Sequence, residues 1–536
     1  MSFNTEKKKT YKLTTKMNRT ESLNHIREYN DYWDILIIGG GATGLGCAVD
    51  AASRGYKTLL LDMADFAKGT SSRSTKLVHG GVRYLQQGDV SLVIEALHER
   101  GLLIQNAPHL VSHQSFIVPS YEWWNGPFYG IGMKVYDALA GKLGIKKSKT
   151  LSKEEVLEEI PTLEPEGLRG GVIYYDGQFD DSRLVINLAQ TASDLGATPV
   201  NYMKVNELIK GDSGFIEGVV ARDHICGEEF TIKARAIVNA TGIFSDSIMK
   251  MDDQEHQNII QCAQGIHLVL DKEFLPGDSA IMGPHPDDGG GLFAVPWHGK
   301  AIVGTTDTPI DKPSLEPIAL EEEIDFILKH AKQYLTKNPT RKDVKSVFAG
   351  LRPLVKPKDA KTTSEISRSH HIQISETGLI TIAGGKWTTY RKMAEDTIDR
   401  AAMVAGVEFK KAKTKNQRIH GWLKNVDKSD PLSVYGSDRV ALEKLIEEDE
   451  SLKERLHPKL PYIKAEIIWA IRNEWAQTIE DLLSRRTRAL LLDAEAAIEI
   501  APLVAELLAQ ELNEDEEWQK QEVKEFLELA KNYVIN

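Results

Sequence analysis

Cysteine is scarce: three in 536 residues, at Cys47, Cys226 and Cys262. An odd, widely spaced set excludes a disulfide framework and a cysteine-rich metal site, and fits a reducing compartment. Long apolar runs are missing as well. No stretch approaches the ~20 apolar residues of a membrane span. Mean hydropathy of -0.31 and 41% hydrophobic residues are those of a soluble globular chain, so contact with lipid is expected to be peripheral. Positive charge is in deficit, with 66 Lys and Arg against 78 Asp and Glu and a net charge of -12. That balance excludes a general nucleic-acid binder, which needs clustered cations to neutralise phosphates. Internal repeats, low-complexity tracts and metal-ligand spacings are also absent.

What is present begins at residue 34. "DILII" reads as a short buried strand, the glycine-rich "GGGATG" follows at once, and "LGCAVDAASRG" reads as a helix leading to the strand "KTLLLD". Gly39, Gly41 and Gly44 form a GxGxxG between strand and helix, the context in which that pattern carries information. The first glycine permits a tight turn, the second lets a pyrophosphate approach the backbone, and the third lets helix and strand pack closely. Free amides and the helix dipole then favour phosphate charge. Asp62 ends the next strand, where a carboxylate accepts hydrogen bonds from ribose hydroxyls. A second strand-glycine-helix turn, "LITIAGGKWTTYRKMAEDTID", carries Gly384 and Gly385. An N-terminal fingerprint with a second such turn far along the chain points to the split Rossmann domain of flavoproteins and to FAD rather than NAD.

Residues 91 to 105 have helical apolar spacing, and "YEWWNGPFYGIGMKVYDAL" reads as a loop entering a helix. Strand-like runs then recur through "KAIVGTTD". Beyond about residue 405 glycine thins out and helix formers dominate. Ile463, Ile467, Ile471, Trp475, Ile479 and Leu483 mark the ridge of one long helix. The first 30 residues hold seven Lys or Arg against three Glu and read as a flexible basic tail. The expected organisation is therefore a tail at 1-30, an FAD-binding domain interleaved with a substrate domain over 31-405, a linker at 406-430, and a C-terminal helical cap at 431-536. The fold class is α/β: an FAD-binding Rossmann-like domain of the glutathione-reductase or amino-acid-oxidase type interleaved with a mixed β substrate domain, plus a helical domain.

The ordered motifs "DILIIGGGATGLGCAVDAASRG", "TSSRSTKLVHGGVRYL", "DDSRLV", "VNATG", "VPWHGKAIVGTTD", "AGLRPL" and "GGKWTTYRKMAE" resemble the FAD-dependent glycerol-3-phosphate dehydrogenases of aerobic respiration. The resemblance runs over roughly residues 31 to 400 and continues more loosely through "AEIIWAIRNEWAQTIEDLLSRRTR". It implies oxidation of sn-glycerol 3-phosphate to dihydroxyacetone phosphate by hydride transfer to FAD, with electrons passed to a membrane quinone. It further implies a cytoplasmic protein lying peripherally on the inner face of the cell membrane, and it admits a homodimer. By the same resemblance Ser71, Ser72, Ser74, Lys76 and Gly242 neighbour the flavin, and the substrate pocket maps onto His79, Arg83, Tyr84, His267, Arg352, Arg368 and Lys386. Two positions depart from the pattern: Asp62 stands for a common glutamate, and Ile266 for a small serine before the histidine.

Oxidation of a secondary alcohol needs a proton acceptor at the hydroxyl while the cofactor takes the hydride. Histidine titrates near neutrality, and His79 and His267 are both candidates, with Arg352 as an electrostatic aid. The substrate phosphate calls for Arg and Lys: Arg83, Arg352, Arg368 and Lys386, with Tyr84 below them and Lys386 alternatively beside the flavin. "GTTD", ending in Asp307, reads as a tight turn, and His330 and His457 read as structural. Three other readings share the pocket or the fold: an oxygen-using glycerol-3-phosphate oxidase, an amine or amino-acid oxidase, and a non-catalytic FAD-binding redox scaffold.

Overall fold

The strand Trp33–Ile38 is apolar on both faces, the pattern of a central parallel strand covered by helices on either side. It pairs in parallel with Thr58–Leu61 on one side and Glu229–Asn239 on the other. A computed structural model describes residues 19-82, 89-122, 125-284, 291-356 and 370-535. Among them one eight-stranded sheet runs His370–Ile374, Ile380–Gly384, Glu229–Asn239, Trp33–Ile38, Thr58–Leu61, Thr198–Val200, with the hairpin Met203–Lys210 and Ile216–Asp223 on the Glu229–Asn239 strand. The helices Ala42–Ser53, Asp181–Asp194 and Tyr390–Val404 pack together on it through one buried cluster. Both glycine turns therefore open onto the same sheet, as the split Rossmann reading requires.

A second, ten-stranded mixed sheet is built around Ile260–Asp271, which pairs antiparallel with Val344–Val355, Lys300–Gly304 and Thr308–Ile310. Directly opposed residues of an antiparallel pair share a face. His267 lies opposite Phe348, Gly265 opposite Gly350, and Ala263 opposite Arg352. One sheet face thus carries His267 and Arg352 together, although they are far apart in sequence.

Of the C-terminal helices Arg439–Glu448, Lys464–Asn473, Ala494–Leu512 and Glu516–Ala530, the first two add Leu442, Ala465 and Trp469 to the buried cluster of the first sheet and its helices. The core of the other helices continues into Val269, Trp297, Ile302 and Phe348 of the second sheet. The expected single helix over 463 to 483 is wrong. Lys464–Asn473 ends, Trp475 turns with φ +54°, and the chain resumes in the wide helical turn Asp481–Arg486. Apolar residues keep helical spacing across the break because both pieces face the same core.

The basic tail also needs correcting. Arg19–Glu28 is a docked helix with Leu23 and Ile26 buried, and Arg19 pairs with Asp223 at 2.9 Å. Residues 1-18 lie outside the described residues. Within the 406-430 segment Thr414 and Ile419 are buried, so this stretch is irregular but packed. His330 lies in the helix Glu321–Tyr334, whereas His457 sits in a turn against Glu499 rather than in a helix.

Candidate functional site

The fingerprint turn has no spare room. Gly39 adopts φ +111°, and a Cβ on Gly44 would lie 1.8 Å from the Gly39 carbonyl oxygen, so only glycine lets strand and helix close here. Gly41 is the N-cap of Ala42–Ser53 and lends that helix no side-chain cap of its own, and a helix start of this kind favours an anion. Asp62 accepts hydrogen bonds from the amides of Gly40 and, at 2.9 Å, Ala64. Loss of water around this half-buried carboxyl pushes it up to about 7 against the pull of those amides. A ribose supplying hydroxyl donors would restore the anion. Gly242, with φ +60°, follows the strand Glu229–Asn239 beside the same turn. A close-packed glycine cradle, a helix start whose cap residue supplies no side chain and a desolvated carboxyl in reach of one another fit a dinucleotide such as FAD.

The segment from Thr70 to Lys76 joins this cradle to the second sheet. Ser71 Oγ accepts from the Ala42 amide at 2.9 Å, and Trp387 Nε1 donates to the Ser71 carbonyl at 2.9 Å, so the segment touches both glycine turns. Thr70 Oγ1 donates to the Leu351 carbonyl at 2.6 Å, and Arg73 Nη1 to that of Ala349 at 3.2 Å, so it also lies on the strand bearing Arg352. Gly384 and Gly385, with φ +72° and +76°, turn the chain so that half-buried Lys386 and then Trp387 approach from the opposite side.

Lys76 does not reach the open side of this junction. Its ammonium is buried between Asp181 at 2.8 Å and the Ser72 carbonyl at 2.5 Å, with the rings of Trp297 and Phe348 5.3 and 5.1 Å away. Ser74 bonds the same Asp181 through its amide and hydroxyl, and Ser72 is buried. Asp181 stands in the quoted "DDSRLV" stretch but has no local signal, since its partners lie about a hundred residues earlier. Among the expected flavin neighbours, Ser71 and Ser74 are half-buried, whereas Lys76 holds the wall from within.

His267 is equally internal. It is 2% exposed, Nε2 is 2.9 Å from Thr75 Oγ1, and the ring stacks on Phe348 at 4.9 Å. Burial, then the charges of Lys76 and Arg352, hold its pKa well below the usual range. A proton taken up here would be placed in a dry wall beside two cations, which disfavours His267 as the acceptor. His79 is only half-buried; Thr388 Oγ1 accepts from its amide at 3.2 Å and donates to its carbonyl at 3.4 Å.

Arg352 is oriented in advance. Nη1 meets Asp307 at 2.9 Å and the Gln264 carbonyl at 3.3 Å, while Nη2 meets Thr305 Oγ1 at 3.1 Å and the Thr306 carbonyl at 3.0 Å. Asp307 therefore does more than turn the chain: it anchors the guanidinium. A Cβ on Gly265 would lie 2.3 Å from Arg352 Nη2 and 2.4 Å from Thr305 Oγ1, so the absence of a side chain there makes room for the guanidinium and the hydroxyl that holds it. Arg83, Tyr84 and Arg368 lie outside the described residues. No cluster able to hold a metal ion occurs among the described residues.

The family model for FAD-dependent oxidoreductases matches residues 34-391, and that for the C-terminal domain of α-glycerophosphate oxidase matches 375-521. The chain is 40% identical to mitochondrial glycerol-3-phosphate dehydrogenases of Macaca fascicularis and Homo sapiens, over 94% of its length and 73% of theirs. The structure of the glycerol-3-phosphate dehydrogenase from Bacillus halodurans complexed with FAD superposes with a TM-score of 0.79 at 32% identity, covering 96% of this chain and 98% of that one. The α-glycerophosphate oxidase of Mycoplasma pneumoniae shares the fold at 17% identity and a TM-score of 0.56.

Proposed function

The chain belongs to the FAD-dependent glycerol-3-phosphate dehydrogenase family, and on that premise we propose how its own residues carry out the oxidation of glycerol 3-phosphate to dihydroxyacetone phosphate. Bound FAD supplies the two-electron acceptor for the hydride leaving C2. The glycine cradle and the helix start at Gly41 receive the cofactor's pyrophosphate, and Asp62 its ribose. Arg352, held by Asp307, Thr305 and two carbonyls, offers a fixed guanidinium to the substrate phosphate, a geometry that costs little reorganisation on binding. Lys386 approaches the same junction from the second glycine turn.

His79 takes the proton from the substrate hydroxyl. His267, neutral and bonded to Thr75, shapes the wall behind it. The observation that carries this assignment is the contrast between the two imidazoles: one half-buried beside Thr388, the other enclosed between Phe348, Thr75 and two cations.

The electron acceptor is a quinone, and the protein meets the membrane peripherally. Among the described residues no helix is long and apolar enough to cross a bilayer. The neighbouring helices Val90–Asn106 and Asn125–Ala140 present Val90, Ile94 and Val135 to solvent, each more than 40% exposed. Exposed apolar side chains on neighbouring helices suit an interfacial contact.

The deciding experiment is anaerobic bleaching of the flavin spectrum. Glycerol 3-phosphate should bleach it and sarcosine should not; no bleaching by glycerol 3-phosphate overturns the reading. Because the C-terminal match carries the name of an oxidase, peroxide is measured in the same protein under air. Electrons delivered to a quinone analogue with little peroxide support the dehydrogenase, and stoichiometric peroxide without quinone supports the oxidase.

A further inference from the structure

Between the strand Leu77–Val78 and the helix Val90–Asn106 the chain passes through His79 and Gly80, and the Gly80 amide enters a buried polar network. It donates to Tyr136 Oη at 2.9 Å and to Asp176 Oδ1 at 3.3 Å. Tyr136 Oη donates in turn to Asp176 Oδ2 at 2.6 Å, and Arg100 Nη1 donates to Oδ1 at 2.7 Å. Three separate elements supply these groups: Arg100 the helix Val90–Asn106, Tyr136 the helix Asn125–Ala140, and Asp176 the strand Gly170–Phe179. All three side chains are at most 2% exposed. A Cβ on Gly80 would lie 2.4 Å from both Tyr136 Oη and Leu97 Cδ2, so the backbone approaches the network as closely as glycine allows.

A buried Arg–Asp pair is weak evidence of stabilisation in itself, because the lost hydration offsets most of the attraction. What this one does is local. The amide of His79 is bound by Thr388 on one side, and the next amide is bound by Tyr136 and Asp176 on the other. The peptide planes flanking the His79 Cα are therefore both held, which sets the direction in which its side chain leaves the backbone. Burial and the Asp176 charge keep the Tyr136 phenol protonated, so it remains a donor to the carboxylate and an acceptor for Gly80.

We propose that Tyr136 and Asp176, backed by Arg100, are positioning residues for the reaction: they hold the Gly80 peptide so that the imidazole of His79 meets the substrate hydroxyl. Both are buried, so they act through the backbone at Gly80. The inference rests on His79 as the proton acceptor, and its test separates the two ideas.

The test is a double-variant cycle on the FAD-loaded full chain, reading the rate of anaerobic flavin reduction at saturating glycerol 3-phosphate, the substrate dissociation constant, and FAD absorbance. Tyr136→Phe is expected to slow reduction about tenfold in the native background, with FAD retained and substrate affinity within about twofold. In a His79→Gln background the same change is expected to cost less than about twofold, because a residue acting through His79 has nothing left to position. Equal losses in both backgrounds, or a native-like rate for Tyr136→Phe, overturn the proposal. A native-like rate for His79→Gln instead removes the premise. Asp176→Asn carries the same expectations, so poor folding of one variant leaves the cycle measurable with the other.

Discussion

Arg486 grips Asp65 with two nitrogens, Nη1 2.6 Å from Oδ2 and Nη2 3.0 Å from Oδ1, and both side chains are fully buried. Arg485 Nε meets the same Oδ2 at 2.5 Å. Asp65 lies three residues past Asp62, so the cap holds the loop that begins at the carboxylate proposed to bind the ribose. Arg486→Ala leaves a buried carboxylate short of a partner, a loss on the order of 3–5 kcal/mol. The expected outcome is a lower melting temperature together with FAD release on gel filtration. Retention of FAD at native stability would contradict this coupling.

The Asp62 carboxyl sets a pH dependence with opposite signs in the free and loaded protein. With its folded pKa raised from 3.8 to about 7, the apoprotein binds more protons than the unfolded chain across that window, so its stability falls as pH rises from about 4 to 7. Ribose hydroxyls favour the anion, so FAD affinity rises as pH climbs through 7, by up to about tenfold per pH unit below it. Titrating FAD fluorescence from pH 6 to 8 checks this, and Asp62→Asn should flatten the curve.

Gly265→Ala places a methyl group where Arg352 Nη2 and Thr305 Oγ1 now lie, at 2.3 and 2.4 Å. The guanidinium is the softer obstacle and is displaced. Its KM for glycerol 3-phosphate should rise about tenfold, roughly 1.4 kcal/mol, with the FAD spectrum unchanged. Arg352→Ala should produce the same phenotype more severely.

His420 bridges Asp194, which ends the helix Asp181–Asp194, and Asp438 at the start of the cap, at 2.6 and 2.8 Å. Burial opposes its charge, but the two carboxylates outweigh burial and raise its pKa to about 10. A base raised on folding contributes fully below its unfolded value of 6.5, and the contribution disappears as pH climbs through 10. Thermal stability should therefore decline between about pH 6.5 and 10, and His420→Gln should be less stable at pH 6 and lack that decline.

The strand-glycine-helix-strand unit was legible because its signals are local: the strand Trp33–Ile38, the glycines at 39, 41 and 44 and the carboxylate at 62 fall within thirty residues. The pairing of His267 with the Arg352 side of the sheet depends on the register of two strands eighty residues apart, which motif order suggests only through a known relative. The burial of Lys76 was not legible in its segment, because it depends on Asp181, Trp297 and Phe348, all more than a hundred residues further along the chain. Asp65 and Arg486 had no sequence signature, since charged residues are ordinarily solvated. The helical ridge was overextended because periodicity records which residues face the core and is blind to a backbone reversal at Trp475.

That reversal has a mechanical consequence. Along an unbroken helix Glu474 and Arg486 would stand about 18 Å apart; here Arg486 Nη2 donates to the Glu474 carbonyl at 2.5 Å, while the Glu474 carboxylate takes both terminal nitrogens of Arg183 at 2.6 and 2.7 Å. The cap is riveted at a corner instead of lying along a rail. Sliding the cap by a residue or a turn would break its Glu474–Arg183 and Arg486–Asp65 pairs together, so the bond inside the corner fixes the shape of the cap while these two fix its register on the nucleotide side.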